Sequence, residues 1–257
     1  SKRAALQKDF GWHPGVRIYA GDIRDGEWLH DLFHECDVVV HAAARKVVTA
    51  HPDEPREMLL TNVLGTQNVI DAARRAGVRQ LLFISSDKAV RPENVYGATK
   101  ALAEYLVINA NARAKPQGLR LSVLRYGNVL GSTGSVLQAW TPFVKDGRCA
   151  QCLPVSDMAM TRFWLTLDRA VDLVQQALAE MRGGEIFVPD LPAAPLTRLG
   201  DALMAPPATP TFSVLGIRPG GEKLHEELLS AAEIRRAVRR NGWFIVPPYQ
   251  SDAMWDN

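Results

Sequence analysis

The sequence predicts an α/β fold in which helices cover a mostly parallel, doubly wound sheet. Short apolar runs alternate along the chain with segments that have helical periodicity. One run, "CDVVVHAAA", has consecutive valines, as expected of a strand buried on both faces. The helical segments place apolar residues three and four positions apart. This alternation is typical of strand–helix–strand units and therefore of a parallel sheet.

The predicted elements follow in order along the chain. "SKRAALQKDF" predicts a helix, and "VRIYAGDIRD" predicts a strand that ends at Gly21. After the "CDVVVHAAA" strand, "PREMLLTNVLGTQNVIDAARRAGV" predicts a helix that stops at Gly77. The later predicted elements are the strand "RQLLFISS", the helix "VYGATKALAEYLVINANARA", the strand "LRLSVLRYGNVLG", the helix "LTLDRAVDLVQQALAEM" and the strand "GEIFVPD".

The composition bounds the class of protein. A chain of 257 residues with 47% hydrophobic and 23% charged residues predicts one large globular domain, or one domain with a smaller lobe. The net charge of +2 does not favour a nucleic-acid surface. No apolar run is long enough to cross a bilayer, so no membrane partner is expected. Three cysteines make no even disulfide framework, which favours a cytoplasmic location.

A change in composition indicates a second lobe. From about Gly127 onward, glycine, proline and short irregular runs become frequent. We therefore expect a sheet domain formed by residues 1–128 and 163–190, and a smaller substrate-binding lobe formed by residues 129–162 and 191–257.

The start of the chain lacks a motif that such a sheet normally carries. A nucleotide-binding, Rossmann-type sheet begins with a strand and a glycine-rich turn whose amides meet a pyrophosphate. No such turn occurs here. We therefore expect an N-terminally truncated Rossmann-type domain whose first two strands are absent. The alternative is a chain that obtains those strands from a partner.

Tyr96 and Lys100 form a candidate catalytic pair. They stand four residues apart on a predicted helix, so their side chains share a face. An ammonium group near a phenol lowers the pKa of the tyrosine, which would make Tyr96 a base for an alcohol hydroxyl. Ser85 or Ser86, at the end of the preceding strand, can hold the same hydroxyl. The alternative is a packed tyrosine beside a solvated lysine.

Asp87 and Lys88 place an acid and a base side by side at the end of the same buried strand. Charges beside a core strand are costly unless they are paired or functional. The alternative is a helix cap followed by a surface lysine.

These motifs resemble the extended short-chain dehydrogenase/reductases, and more narrowly the polysaccharide-biosynthesis branch that contains configuration-inverting UDP-N-acetylglucosamine 4,6-dehydratases. The resemblance spans nearly the whole chain. It rests on "GDIRD", "HAAARKVV", "TNVLGTQNV", "SSDKAVRPENVYGATKALAE", "RYGNVLGSTGSV", "MTRFWLTLDRAVDLV" and "GIRPGGEKLHEEL".

The resemblance implies a reaction and roles for the catalytic residues. Tyr96 would accept the sugar C4 hydroxyl proton while a nicotinamide cofactor accepts the hydride. Lys88 would then remove the C5 proton, and Asp87 would protonate the departing C6 hydroxyl. The catalytic set implied by the resemblance is Ser86, Asp87, Lys88, Tyr96 and Lys100.

The resemblance also implies a cofactor site that favours NADP, with NAD as the alternative. Asp22 would contact the adenine, unless it forms a turn at a strand end. A serine and an arginine after the second strand would suit a 2′-phosphate. The residues that match the family's cofactor contacts are Ser1, Lys2, Arg3, Asp22, Ile23, Ala42, Ala43, Ala44, Asn62, Tyr96 and Lys100.

The implied partner is a UDP-sugar. The residues that match its contacts are Lys46, Asn128, Arg162, Arg218 and Glu222. Two departures from the family pattern bear on this site. Thr133 stands where arginine is usual, and an additional glycine in "RPGGEK" is expected to displace Glu222. Each arginine alone would more commonly be a surface salt-bridge residue.

Two other functions remain open at this point. A nucleotide-sugar 4-epimerase has the same fold but needs no acid/base pair, and a truncated, cofactor-free chain would be a binding module. No metal site is expected, because His41, His51 and His225 lack metal-ligand spacing and the single Cys149/Cys152 pair cannot complete a zinc site. By family analogy, helices at 62–75 and 95–113 would form a four-helix bundle in a homo-oligomer.

Overall fold

The computed structural model describes residues 2–46, 53–145, 148–149, 152–205, 207–218 and 221–248, with only the backbone at Lys2, Arg3, Ala5, Lys145, Arg148 and Cys149. The first half of the chain forms α1 (Lys2–Phe10), α2 (Gly26–Phe33), β1 (Val38–His41), α3 (Glu54–Met58), a π-helical stretch (Leu59–Leu64), α4 (Gly65–Arg75), β2 (Gln80–Ser86), a 3-10 turn (Asp87–Ala89), α5 (Val95–Ala114), a second 3-10 turn (Lys115–Gln117) and β3 (Arg120–Tyr126).

The second half contains shorter elements. They are β4 (Asn128–Val129), α6 (Val136–Trp140), a 3-10 turn (Thr141–Phe143), β5 (Val144–Lys145), β6 (Arg148–Cys149), β7 (Leu153–Val155), β8 (Thr161–Leu165), α7 (Leu167–Glu180), β9 (Ile186–Pro189), β10 (Ala193–Pro195), α8 (Leu196–Leu203), β11 (Phe212–Val214), α9 (Ala231–Ile234), β12 (Val238–Arg240) and β13 (Trp243–Val246).

The main sheet has six strands in the order β1-β2-β3-β9-β13-β12. The first four run parallel, whereas β13 and β12 join antiparallel. The predicted mostly parallel α/β sheet is thus confirmed. The two C-terminal strands extend the main sheet, although they fall within the 191–257 segment assigned to the smaller lobe.

Helices cover both faces of this sheet. Side chains alternate between the faces along a strand. Leu81 and Phe83 of β2 therefore pack in the cluster formed with α2, α4 and α5. Leu82, between them, packs with α7 on the opposite face, where Leu173 is also buried. This arrangement explains why the "RQLLFISS" run is apolar at successive positions.

The strand predicted at "VRIYAGDIRD" does not form. Residues 16–22 have no regular secondary structure, and Val16 and Tyr19 are exposed. A strand is stabilised by hydrogen bonds to a neighbour. In the described part of the chain, β1 is the edge strand on this side of the sheet and residues 16–22 pair with no strand.

The region after β3 contributes smaller sheets beside the main one. β10, β8 and β4 form a three-stranded sheet, and β11 pairs with β7 and β5 with β6. These smaller sheets pack around a separate apolar cluster, in which Trp140, Leu153 and Met160 are fully buried. The loop-rich composition after Gly127 therefore corresponds to a separately packed layer.

Arg125 of β3 connects the C-terminal region to the main sheet. Its buried guanidinium donates to both carboxylate oxygens of Glu104 on α5, at 3.1 and 2.6 Å. It also donates to both oxygens of Glu233 on α9, at 3.2 and 3.0 Å. Since a buried charge must be paired, these two carboxylates hold α5, β3 and α9 together.

Helix α5 approaches the turn after β2 unusually closely. Asn94 caps the helix by accepting a hydrogen bond from the Gly97 amide at 2.9 Å. A side chain at position 97 would overlap the carbonyl oxygen of Lys88. Glycine at this position therefore allows the first turn of α5 to lie against the Asp87–Ala89 turn.

Gly97→Ala is expected to lower the free energy of unfolding by about 1–3 kcal/mol, because the added methyl group overlaps backbone atoms. Gly26→Ala, at the start of α2, is a matched control because its added Cβ has no neighbour closer than 3.8 Å. Alanine is favoured over glycine in helices by about 1 kcal/mol, so this variant should be neutral or stabilised. Urea unfolding measures both; equal effects would contradict the close-approach explanation.

Candidate active site

The candidate site lies where β2 and β3 end. In open α/β sheets, ligands bind outside the carboxyl ends of the strands. Here β2 ends at Ser86, which is paired with Tyr126 at the end of β3. The Asp87–Ala89 turn and the start of α5 follow directly along the chain. The fold thus collects most of the predicted catalytic residues within a segment of fifteen residues, Ser86 to Lys100.

Asp87 and Lys88 form a close ion pair. Lys88 Nζ donates to Asp87 Oδ1 at 3.0 Å, and the Ser86 hydroxyl donates to the same oxygen at 2.7 Å. Asp87 is fully buried, and no described residue bonds its second carboxylate oxygen. Lys88 Nζ also lies 3.4 Å from Asn128 Oδ1. This geometry does not match the alternative of a helix cap beside a surface lysine, because Ser86 provides the cap of this turn.

Tyr96 faces the same turn. Its phenol hydrogen-bonds to Ser86, whereas the Ser85 hydroxyl is buried and has no partner among the described residues. Burial raises the pKa of Tyr96, and the nearby Asp87 carboxylate raises it further. The expectation that Lys100 lowers the pKa of Tyr96 is therefore wrong for this structure.

The position of Lys100 explains that result. Its amine donates to the Ile84 carbonyl and lies 3.9 Å from the centre of the Phe83 ring. Burial lowers the pKa of Lys100 to about 7. Because an amine with this pKa is about half neutral at pH 7, it supplies less positive charge to the phenol than a solvated lysine would.

Asn62 braces the loop after β1. Its amide is buried, accepts from the Arg45 amide at 2.7 Å and donates to the Arg45 carbonyl at 2.9 Å. It also donates to Thr99 on α5 at 3.0 Å. Asn62 lies in the π-helical stretch, a conformation that is frequent at functional sites. This residue links the loop after β1 to the helix that carries Tyr96.

The other predicted cofactor residues are less enclosed. Ala42, Ala43 and Ala44 are exposed, directly after β1, and so is Lys46, predicted for the sugar. Asp22 is also exposed. Its carboxylate accepts a hydrogen bond from the Arg24 amide at 3.0 Å, so Asp22 forms a turn, as in the alternative given for this residue.

Three further positions complete the predicted cofactor set. Ile23 packs against Gly65 of α4. Ser1 lies outside the described residues, as do the side chains of Lys2 and Arg3. The predicted contacts to a 2′-phosphate therefore stay predictions.

Arg162, Arg218 and Glu222 come together at a second cluster. Glu222 lies 3.3 Å from Arg162 and 3.7 Å from Arg218, and it accepts from the Ser156 hydroxyl at 2.6 Å. Arg162 is buried, whereas most of the Arg218 side chain is exposed. Glu222 therefore contacts both arginines, and its displacement by the additional glycine stays a prediction.

Two charged residues near Lys88 were missed by the sequence analysis. Glu226 lies 3.5 Å from Lys88 Nζ, and Lys223 lies 3.4 Å from Glu226; both side chains are buried. They lie in the charged run "EKLHEE", a pattern that predicts an exposed surface segment. Their burial depends on tertiary packing, so the pattern alone gave no signal for it.

Neither a metal-ligating cluster nor a membrane-spanning helix occurs among the described residues. No group of three or more histidine, cysteine or acidic side chains there could hold a metal ion. Nor does any helix in that part of the chain have the length and apolarity to span a bilayer.

Comparison with known proteins assigns the family. A family model described as "Polysaccharide biosynthesis protein" matches residues 7–248. The chain belongs to this family. Together with the relatives and solved structures below, the match confirms the predicted extended short-chain dehydrogenase/reductase class of enzyme.

The named relatives of this chain include dehydratases and epimerases. The chain is 40% identical over 237 residues to a "UDP-N-acetylglucosamine 4,6-dehydratase (inverting)" of Campylobacter jejuni, covering 91% of this chain and 69% of the relative. It is 37% identical over 236 residues to a "UDP-glucose 4-epimerase" of Rickettsia typhi, covering 91% and 68%.

Solved structures agree on the fold. Pen from Bacillus thuringiensis superposes with a TM-score of 0.88 at 34% identity, covering 97% of this chain and 78% of that one. DesIV, a dTDP-glucose 4,6-dehydratase from Streptomyces venezuelae solved with NAD, gives 0.75 at 23% identity, covering 97% and 80%. The second likeness shows the Rossmann-type fold alone.

The lowered pKa of Lys100 predicts a pH dependence of stability. An unfolded lysine has a pKa of about 10.4, so between pH 7 and 10 the unfolded chain binds a proton that the folded chain does not. The free energy of unfolding should therefore rise with pH in this window, by up to about 1.4 kcal/mol per pH unit from this group. Urea unfolding from pH 7 to 9 should show a smaller slope for Lys100→Met. The slope of Lys115→Met, an exposed lysine after the same helix, should match the unsubstituted chain; a wild-type slope in Lys100→Met would contradict the burial argument.

Proposed function

We propose that the chain catalyses NADP-dependent dehydration of UDP-N-acetylglucosamine to a UDP-4-keto-6-deoxy-hexose with inversion at C5. The observation that carries the proposal is the ion pair between the buried Asp87 carboxylate and the partly buried Lys88 amine, with Nζ and Oδ1 3.0 Å apart, directly before the helix of Tyr96. Support also comes from the relatives named as inverting dehydratases. We place the reaction in the cytoplasm, where its product would enter surface-glycan or nonulosonic-acid synthesis.

Tyr96 acts first, as the base for the C4 hydroxyl. Ser86, hydrogen-bonded to the phenol, holds the hydroxyl in place. A nicotinamide cofactor, when bound, would supply the hydride chemistry, accepting a hydride from C4 and later giving it to C6. The resulting C4 ketone makes the C5 proton acidic.

Lys88 and Asp87 then carry out the elimination. Transfer of one proton along their hydrogen bond converts the ion pair into a neutral amine and a neutral carboxylic acid. Lys88 takes the C5 proton and Asp87 gives its proton to the departing C6 oxygen, which leaves as water. The pair finishes as the same ion pair, so the site's net charge is unchanged. Burial of Asp87 excludes solvent protons from the proton exchange within the pair. After a hydride has been added at C6, C5 would take up a proton from solvent on the face opposite to the one that lost its proton, which completes the product and inverts C5.

The described residues fit the nicotinamide end of a dinucleotide. The exposed backbone of residues 42–44 carries only methyl side chains, so a ligand can approach it. Lys100 and Tyr96 would hold the ribose and nicotinamide side, and Asn62 fixes the loop between them. Asp22 and Ile23 would meet the adenine. The choice of NADP over NAD depends on Ser1, Lys2 and Arg3.

The UDP end of the substrate would bind at the second cluster. Arg162 and Arg218 can clamp a diphosphate, and Glu222 orients both guanidinium groups. Asn128 lies beside Lys88 and would contact the sugar, as would Lys46. The homo-oligomer implied by the family remains part of the proposal.

The main rival function is a nucleotide-sugar 4-epimerase. A relative at 37% identity is named as a UDP-glucose 4-epimerase. An epimerase uses the tyrosine for C4 oxidation but has no elimination to catalyse. The buried ion pair beside the reacting edge therefore favours the dehydratase. A cofactor-free binding module is the second rival; tight NADP⁺ binding in calorimetry would exclude it.

Incubation of the protein with UDP-N-acetylglucosamine and NADP⁺ in deuterated water should give a new C6 methyl signal in the proton NMR spectrum. Deuterium should appear at C5, because the proton that C5 takes up after the elimination comes from solvent. The couplings of C5 report its configuration. An epimerised sugar with no methyl signal would instead establish the epimerase, and an unchanged sugar with bound cofactor would overturn both.

Lys88→Ala should lower the rate of dehydration by at least about 10²-fold, as expected for loss of a general base. C4 oxidation should continue. Reduced nicotinamide should then accumulate, and its absorbance measures the oxidation step. Lys115→Ala, an exposed lysine, should behave as the unsubstituted protein. Full dehydration activity in Lys88→Ala would exclude Lys88 as the base.

A further inference from the structure

Residues 221–227, here called the strap, cross the loop that joins Lys88 to Tyr96. Asn94 donates to the Gly221 carbonyl at 3.2 Å. The amine of Lys223 donates to the Val90 carbonyl, and Glu227 pairs with Arg91. Gly221 has φ +94° and approaches Glu93 so closely that any side chain would overlap its carbonyl oxygen. The strap is therefore fixed to this loop along its length.

The strap delivers a carboxylate to the base of the proposed reaction. Glu226 is 8% exposed, and one of its oxygens lies 3.5 Å from Lys88 Nζ. The other oxygen faces Lys223 Nζ at 3.4 Å. Lys88 Nζ thus lies between Asp87 on one side and Glu226 on the other. A carboxylate is costly to bury, so its position beside a second buried carboxylate requires an explanation.

The charges in this group explain what Glu226 can do. Asp87, Lys88, Lys223 and Glu226 carry two negative and two positive charges. When Lys88 passes its proton to Asp87, Lys223 and Glu226 remain as a neutral pair. When Lys88 later takes the C5 proton, positive charge develops on Nζ at a point that already faces the Glu226 carboxylate. A fixed opposite charge aimed at a developing charge stabilises the transition state.

We propose that Glu226 is a positioning residue for elimination: it orients the Lys88 amine and stabilises the ammonium that forms on it. The inference rests on the proposed dehydratase function. Glu226 has no described contact with Tyr96, so it should not affect C4 oxidation. It differs in role from Glu222, four residues earlier on the same strap, which contacts Arg162 at the proposed diphosphate site.

Glu226→Gln tests the inference because it removes the charge and keeps the shape. In single turnovers with UDP-N-acetylglucosamine and NADP⁺, C4 oxidation should stay within about twofold of wild type. Elimination should slow by about tenfold to a hundredfold, which is less than the rate loss expected when a general base itself is removed. Reduced nicotinamide should therefore accumulate transiently. The Kd of UDP should be unchanged. Glu35→Gln, which makes the same charge change at an exposed carboxylate outside the strap, should behave as wild type.

The possible outcomes are distinct. Equal losses in oxidation and elimination, or no loss in either, would overturn the role of Glu226 while dehydration by the wild-type protein stands. A wild-type protein that forms no C6 methyl product would overturn the dehydratase and this inference together. If Glu226→Gln does not fold, Glu226→Asp keeps the charge but withdraws it from Nζ. Selective slowing of elimination in that variant would support the inference, and unaltered elimination would refute it.

Discussion

The close contact between the first turn of α5 and the turn after β2 is the constraint on which the candidate site depends. Gly97 lies against the Lys88 carbonyl, and this contact sets how near Tyr96 comes to the Asp87–Lys88 pair. The Asn94 side chain makes two hydrogen bonds: it caps α5 by accepting from the Gly97 amide, and it donates to the Gly221 carbonyl of the strap. The oxidising and eliminating groups therefore share one rigid edge, which suits a reaction whose steps act on adjacent sugar carbons.

The polar residues around this edge are held by networks rather than by single contacts. Asn62 joins the loop after β1 to α5, and Arg125 joins β3 to α5 and α9. Buried polar groups stabilise one arrangement only when their hydrogen bonds are satisfied. Among the described residues, the buried side-chain atoms at this edge that lack a hydrogen-bond partner are Ser85 Oγ, Asp87 Oδ2 and Glu226 Oε2; Ser135, Glu185 and Trp243 carry such atoms elsewhere. Half of this unsatisfied hydrogen-bonding capacity thus lies beside the proposed substrate site.

Much of this could be predicted from the sequence because it depends on local pattern. Strand β2, the turn at Asp87 and the helix from Val95 are encoded by consecutive residues. The remainder depends on what packs from elsewhere. The run at 16–22 has a strand-like composition but no described partner, and Glu226 becomes buried only because the strap crosses a loop more than a hundred residues earlier. The pKa of Tyr96 depends on burial and on the orientation of the Lys100 amine, neither of which spacing alone determines.

The π-helical stretch at Leu59–Leu64 has a consequence for how this helix could change. In an α-helix each residue advances the side-chain direction by about 100°. The widened turn takes up one additional residue, so α3 and α4 are out of phase by that amount. Deleting one residue here would restore a regular helix and would rotate the α3 face by about 100° relative to α4. Glu54 on α3 would then lose its alignment with Arg45, to which it is bonded at 2.6 and 2.9 Å. The length of this segment is therefore constrained to the single residue.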